Sequence, residues 1–595
     1  MSHPDRSPPH HQFTHSNQRR RASVVYGSIG KGGLYLPSDF INNNENNING
    51  NRKHSTKDFV DENSPLIDIQ GDSSIDIEPT LKDRRRKSSF DERELIEQER
   101  ELLKYSHIPI TNPDNEDDIR NTFDEAINKN QIEITTPLIE LNVLIRTSLP
   151  SVLTFLLQCS LSTVSVFSVG HIGPTELAAV SLGAMMANIT GYATIQGLAC
   201  CLDSYCPASF GAKKYTLVGI YVQKCTALIA TVMIPVLIAW IFFGYELLTL
   251  IIPDKQTAHL SAVYLRIVAA GIPGYIVFEV GKRFLQAQGI YNIGAYVLSF
   301  AAPSNLIMNI LLVKHLGYIG APISVAINYW LMAFGLIIST IFLIKPENTP
   351  TGINPLKCWG GINLKQAFSG WSNLASLAIP GLIMLEAEFI AFEILTLMAS
   401  YINTNALAAQ SIGTTMASLT YQVPFAIGIA SSSRIANFLG AGLSESAKIT
   451  TKVSLIFGGI ISIINFLALF IFRRPIANAF TNDEKVIEIV LGIMWLIALM
   501  QVSDALNANS AGCLRGQGQT KIGGIVNLIS YYLIGIPLSI YLSFFSPWKG
   551  SLDGLWIGCT VALTIIGVVQ SYYALFADFN KLCDDARHRT TITDV

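Results

Sequence analysis

Charge is scarce in this chain: Asp, Glu, Lys and Arg make up 14% of its 595 residues, against roughly 25% in soluble domains. With 50% hydrophobic residues and a mean hydropathy of +0.37, that deficit excludes a water-soluble globule and points to a polytopic membrane protein. The formal net charge is -2, and basic residues fall in short clusters, so no face suits nucleic acid. Nine cysteines occur, none in a Cys-x-x-Cys pair, which argues against a zinc site or a disulfide framework. Cys200, Cys201 and Cys206 read instead as small buried thiols. Neither a metal site nor an organic cofactor is expected. No Gly-x-x-x-x-Gly-Lys-Ser/Thr loop occurs, so an ATP-driven pump is disfavoured, and nothing marks the chain as an enzyme. A cleavable leader is not expected either, because the first apolar span begins only after residue 140.

Residues 1–140 are polar and biased, with an Asn-rich run at 41–47 and basic runs at Arg19-Arg20-Arg21 and Arg84-Arg85-Arg86-Lys87. Such a stretch buries too little apolar surface to offset its ordering entropy, so a disordered cytoplasmic tail is expected, with one short charged helix from Phe90 to Tyr105. Ser23, Ser88 and Ser89 follow the basic runs as basic-directed kinases prefer. Glu62-Asn63-Ser64-Pro65-Leu66-Ile67 fits an acidic dileucine sorting signal. Kinases and sorting adaptors are therefore the expected partners of the tail.

From residue 141 onward, apolar windows long enough to cross a bilayer alternate with short polar loops. They lie near 142–169, 175–201, 215–243, 258–280, 292–313 and 317–344, then near 372–400, 406–429, 447–472, 485–507, 523–545 and 553–577. The expected fold is an all-α polytopic membrane protein of twelve transmembrane helices. Its parts are a lobe at 141–345, a cytoplasmic linker at 346–371, a second lobe at 372–578 and a short cytoplasmic tail at 579–595. Lys and Arg concentrate in the loops that a cytoplasmic N-terminus would place inside, among them Lys213, Lys214, Lys282, Arg283, Arg434, Arg515 and Lys521. Arg473 and Arg474 are the clearest exceptions.

The two lobes repeat each other. Leu177 to Thr190 aligns without gaps on Leu407 to Thr420 at an offset of 230, with eight of fourteen positions identical. Further along, Gly211-Ala212 matches Gly440-Ala441, and Phe284 to Gly289 matches Cys513 to Gly518, both at an offset of 229. An even number of spans per repeat leaves both lobes in one orientation, with the pseudo-twofold along the membrane normal and a binding site between or within the lobes.

Three carboxylates stand in the seventh window: Glu386, Glu388 and Glu393. An acid at membrane depth costs roughly 2.5–3.5 kcal/mol, so it normally faces a cavity and serves a function. At ~100° per residue, Glu386 and Glu393 lie ~20° apart, whereas Glu388 sits ~140° from Glu393. Spacing alone therefore pairs Glu386 with Glu393. Asp504 lies in the tenth window and can serve a site or simply bond Asn507. Glu279, followed by Lys282 and Arg283, reads as an interfacial ion pair. Asp203 and Arg434 read as helix-end residues that fix loops and gating. Prolines within windows, Pro424 among them, are hinge candidates.

The motifs resemble those of eukaryotic multidrug and toxic compound extrusion (MATE) transporters. In the first half these are Val169-Gly170-His171-Ile172-Gly173 and Leu202-Asp203-Ser204-Tyr205-Cys206. In the second they are Glu388 with Phe392-Glu393-Ile394-Leu395, Val423-Pro424-Phe425, Ser433-Arg434-Ile435-Ala436-Asn437 and Cys513-Leu514-Arg515-Gly516. They run in the family's order across residues 142–577. The resemblance implies two six-helix lobes and antiport of organic cations, xenobiotics or metabolites out of the cytoplasm against protons or sodium. It pairs Glu388 with Glu393, leaves Glu386 as an extra acid and adds Asp504. Phe389 and Ile390 stand where the family often carries two tryptophans. Gln158 is the notable polar residue of helix 1, which lacks the aspartate of many prokaryotic members, so coupling is expected in the C-terminal lobe. Small organic solutes and membrane lipid are the implied partners, with the chain a monomer. The rival reading is a lipid-linked precursor flippase of related two-lobe fold, which calls for a basic central cavity. A vacuolar or other acidic endomembrane location is favoured, with the plasma membrane second.

Overall fold

The computed structural model describes most of residues 100–591, leaving out 1–99, 129–134, 592–595 and several loop positions. Ser23, Leu66, Ile67, Ser88 and Ser89 lie outside the described residues, as do His171, Lys213 and most of Phe90 to Tyr105. The chain divides into two compact units. The first contains a short helix, Glu116–Asn128, with Ile119, Phe123 and Ala126 on one face.

Among the described residues, the regular elements of the second unit are all helices. They are Pro137–Val169 (α1), Thr175–Gly211 (α2), Tyr215–Phe242 (α3) and Lys255–Ala287 (α4), then Asn292–Leu316 (α5) and Gly320–Ile338 (α6). Trp371–Ser400 (α7) and Thr404–Gly440 (α8) open the second lobe, followed by Ser444–Ile471 (α9), Glu484–Gln517 (α10), Thr520–Phe544 (α11) and Asp553–Leu575 (α12). A final helix, Phe579–Thr591 (α13), follows them. Nine segments among the described residues are long and apolar enough to cross a membrane, and one of them, Asn292–Leu343, is broken by a turn at Gly317–Ile319 into α5 and α6. The remaining two crossings are α7, which carries three glutamates, and α8, which is rich in Ser and Thr. Together they make the twelve that the apolar windows predict.

The lobes pack alike: α1–α5, α2–α4, α4–α6 and α5–α6 in the first correspond to α7–α11, α8–α10, α10–α12 and α11–α12 in the second. Where the lobes meet, α2 crosses α8 at their repeat-related glycines. A Cβ on Gly211 would lie 2.2 Å from the Asn437 carbonyl oxygen, and one on Gly440 would lie 2.0 Å from that of Ala208. Only a glycine lets the two backbones approach this closely. We call the end of the bundle where α1 begins and α12 ends the basal end.

Four helices outrun their apolar windows at that end. The windows stop near 201, 280, 429 and 507, whereas α2, α4, α8 and α10 run on to Gly211, Ala287, Gly440 and Gln517. These are the repeat-related pairs α2/α8 and α4/α10. Their extensions are buried against protein, as every residue from Leu202 to Gly211 illustrates, so their helicity needs no lipid and hydropathy does not register it. One helix also starts early. Thr136 caps α1 by accepting from the Ile139 amide at 3.4 Å, with Pro137 in the first turn. The lobe thus begins inside the stretch assigned by composition to the tail. Within α2, a π-helical turn spans Asn188–Ala193.

Candidate functional site

A narrow, partly open cavity lies between the lobes, walled by Asp203 and Arg283 from the first and by Glu388, Tyr421, Asn507 and Arg515 from the second. Glu388 arrives there by register. The buried stripe of α7 runs through Gly381, Met384, Ala387, Ala391 and Leu395, and Glu388 falls in step with Met384, Ala391 and Leu395. The Asn507 side-chain amide donates to Glu388 Oε2 at 3.3 Å. Asn507 is therefore engaged with Glu388, and not with Asp504 as its spacing also allows. Asp504 is buried, within electrostatic reach of Glu388, and one of its oxygens has no partner among the described residues.

The other two acids point elsewhere. Glu386 Oε1 accepts from the Thr194 hydroxyl of α2 at 3.0 Å, which carries it across to the opposite lobe, while its Oε2 is buried with no partner among the described residues. Glu393 is half-buried and makes no hydrogen bond or ion pair among the described residues. The structure thus brings Glu388 and Asp504 together in the C-terminal lobe, sets Glu386 at the seam, and leaves Glu393 apart from both.

Basal to these acids, charged side chains form a continuous buried network. Glu279 receives Lys282 at 2.9 Å and Arg283 at 2.6 Å, and the Gln158 amide nitrogen donates to it at 2.7 Å. Gln158 also donates to the Tyr275 hydroxyl at 3.2 Å, as does Gln196 at 2.7 Å. Arg283 reaches on to Asp203 at 3.2 Å, and Arg515 of the other lobe approaches Asp203 at 3.8 Å. The expected Glu279 ion pair exists, but it is enclosed by protein and not interfacial. Asp203 is likewise no helix-end residue: α2 continues past it to Gly211, and its carboxylate is shared by arginines from both lobes.

Arg434 departs furthest from its expected place. It is fully buried, and its guanidinium grips Glu140 of α1 in two bonds, Nε to Oε2 at 3.0 Å and a terminal nitrogen to Oε1 at 2.7 Å. The hydroxyls of Thr135 and Thr450 donate to the same carboxylate at 2.6 and 3.0 Å. Arg434 therefore locks α1 to α8 across the seam instead of fixing a loop. Pro424 is buried inside the unbroken α8, one residue before Phe425, whose ring stands edge-on to Phe155 of α1 with centroids 5.0 Å apart. Sequence reasoning missed Glu140, because the tail boundary drawn at 140 took it in. Its signal was an acid in the first turn of the first span, behind a Thr-Pro helix start.

Comparison with known proteins gives one family. The MatE family model matches residues 150–311 and 380–541, one match in each lobe. The chain is 44% identical over 447 residues to an uncharacterised transporter of Saccharomyces cerevisiae, a match covering 74% of this chain and 62% of that protein's length. It is 31% identical to multidrug and toxin extrusion protein 2 of Mus musculus, over 73% of this chain and 74% of that one. Among solved structures it resembles the eukaryotic MATE transporter AtDTX14, with a TM-score of 0.70 and 27% identity, covering 76% of this chain and all of the other.

Proposed function

The chain belongs to the MatE family of membrane transporters, and from that premise we propose that it is a secondary antiporter. It moves organic cations, xenobiotics or metabolites out of the cytoplasm in exchange for protons, with sodium as the alternative coupling ion. The basal end faces the cytoplasm, as the distribution of Lys and Arg favours. The observation that carries this reading is the placing of Glu388: at the wall of the interlobe cavity, bonded to Asn507 and beside Asp504. Two carboxyl groups sharing one low-dielectric site favour a proton or a cation between them. If occupancy by the ion and by the solute are mutually exclusive and select different lobe arrangements, exchange follows, because a ligand shifts an equilibrium only through differential affinity.

Glu388 and Asp504 form the coupling pair, and Glu393 has an auxiliary place. The test is accumulation of a cationic dye by vesicles holding the purified protein, under separately imposed proton and sodium gradients. Glu388→Gln is expected to abolish gradient-driven accumulation while leaving downhill exchange measurable. Unchanged accumulation would sink the carboxylate mechanism. The flippase reading, which calls for a basic cavity, gains something from Arg283 and Arg515 in the cavity wall. Arg283, however, is committed to Glu279 and Asp203, and zwitterions and anions in the same assay would separate the two readings.

A further inference from the structure

The last helix gives the basal end a fastening that the duplicated lobes do not account for. In α13, Phe579, Leu582, Cys583, Ala586 and Thr590 are all buried, the spacing of one helical face. That face packs on α8 and α9 of the second lobe, and the helix also meets α2 of the first. Its far end is tied to the first lobe by three bonds. Arg589 Nη1 donates to the Ser204 hydroxyl of α2 at 2.9 Å, the Tyr221 hydroxyl of α3 donates to the Arg589 carbonyl at 2.5 Å, and Lys214 Nζ donates to the Thr590 carbonyl at 3.1 Å. The guanidinium also fills space that the second lobe leaves for it. Gly518, in the turn after α10, has φ +72, and a Cβ there would stand 1.7 Å from Arg589 Nη1. Arg589 is thus wedged between Gly518 of one lobe and Ser204 of the other.

We infer that Arg589 is a positioning residue of the basal gate: carried on a helix anchored to the second lobe, it pins the first lobe shut and must let go of α2 and α3 whenever the basal side opens. This rests on the lobes rocking apart, as the antiport reading requires. Arg589 touches neither the cavity nor its acids, so its influence falls on the balance between states and not on binding within either. A state that is rarely populated binds with an affinity reduced by its fraction. Weakening the pin therefore tightens apparent binding of a solute offered from the basal side.

The test uses the full chain in vesicles oriented with the basal side outward. For Arg589→Ala, the KM for a cationic dye added outside should fall by up to about tenfold, the scale of one hydrogen bond to a charged group, without a matching rise in kcat. Arg589→Lys should recover part of the difference. Tyr221→Phe, which leaves α13 untouched, should move KM in the same direction. A second readout needs no transport. Cys200 is buried, lines the cavity and lies where a Cβ on Gly381 of α7 would meet it, at 2.1 Å. Its labelling by a membrane-impermeant maleimide from the basal side, followed by peptide mass, should quicken in Arg589→Ala and Tyr221→Phe. Cys583, whose thiol burial pushes up to about 12, should stay unlabelled if α13 remains docked on the second lobe. Unchanged Cys200 labelling in both variants overturns the pin, whatever the transport assay gives. Quickened labelling without gradient-driven transport upholds the pin and counts against antiport.

Discussion

At Glu140 and Arg434 a full ion pair is held away from water, with side chains 0% and 1% exposed. Two threonine hydroxyls complete the carboxylate's acceptors. Burying both charges is expensive, and the pair is held because each partner satisfies the other. Removing one should therefore cost far more than replacing both. Arg434→Ala is expected to destabilise the protein by roughly 3–5 kcal/mol, and Glu140→Gln with Arg434→Met should recover much of that loss in thermal melts of the detergent-solubilised protein. If the single and double variants melt alike, the pair contributes no coupling. The same contrast marks what was legible at this scale. Glu388 and Asp504 stood out because a carboxylate is conspicuous in an apolar window. Arg434 stood out too, but its partner sat outside any window, and only the fold brings residues 140 and 434 together. The choice between Glu386 and Glu388 could not be made from helical angles, since both faces of α7 are covered by protein, one by its own lobe and one by Thr194.

Among the helices, existence was readable and extent was not. Twelve apolar windows predicted twelve crossings, because lipid exposure and hydropathy report the same thing. The basal extensions of α2, α4, α8 and α10 escaped, being buried in protein and free to be polar; they carry Asp203, Arg283, Arg434 and Arg515. Helix starts are set by local chemistry that sequence does show. Asp254 caps α4 at the end opposite the basal one, its carboxylate accepting from the Gln256 and Thr257 amides at 3.2 Å each and from the Thr257 hydroxyl at 2.5 Å. The Thr257 hydroxyl first, and then these amides, hold the carboxyl below its ordinary value of 3.8. Because the folded value is the lower one, the cap's contribution is fully present above the ordinary value. It is lost as pH falls through the depressed one. Asp254→Ala should melt below the wild type at pH 6, and the gap should close on acidification into that window. A gap independent of pH would show that the charge is not what caps the helix.

For the whole molecule, the internal repeat was the most informative feature of the sequence, since it implied two lobes, with a site between or within them, before any helix was drawn. Sidedness and destination rest on the tail and the loops. We propose an acidic endomembrane address read from Leu66 and Ile67, with the plasma membrane as the alternative; replacing both by alanine in a fluorescent fusion should redistribute the protein, and an unchanged location would remove the sorting argument. The repeat is also imperfect in an informative way. Its offset falls from 230 to 229 between Thr190 and Gly211, so the first half holds one residue more than the second over that stretch. The π-helical turn at Asn188–Ala193 lies there, and α8 runs through the equivalent region without one. A π turn is how a helix absorbs a single inserted residue. The wide turn takes up the extra residue locally and keeps the lower part of α2 close to phase with its upper part, and Thr194, directly below it, is the residue that meets Glu386. One extra amino acid in one copy of a duplicated unit is thus confined to a single widened turn beside the seam, and Gly211 and Gly440 beyond it still meet as counterparts.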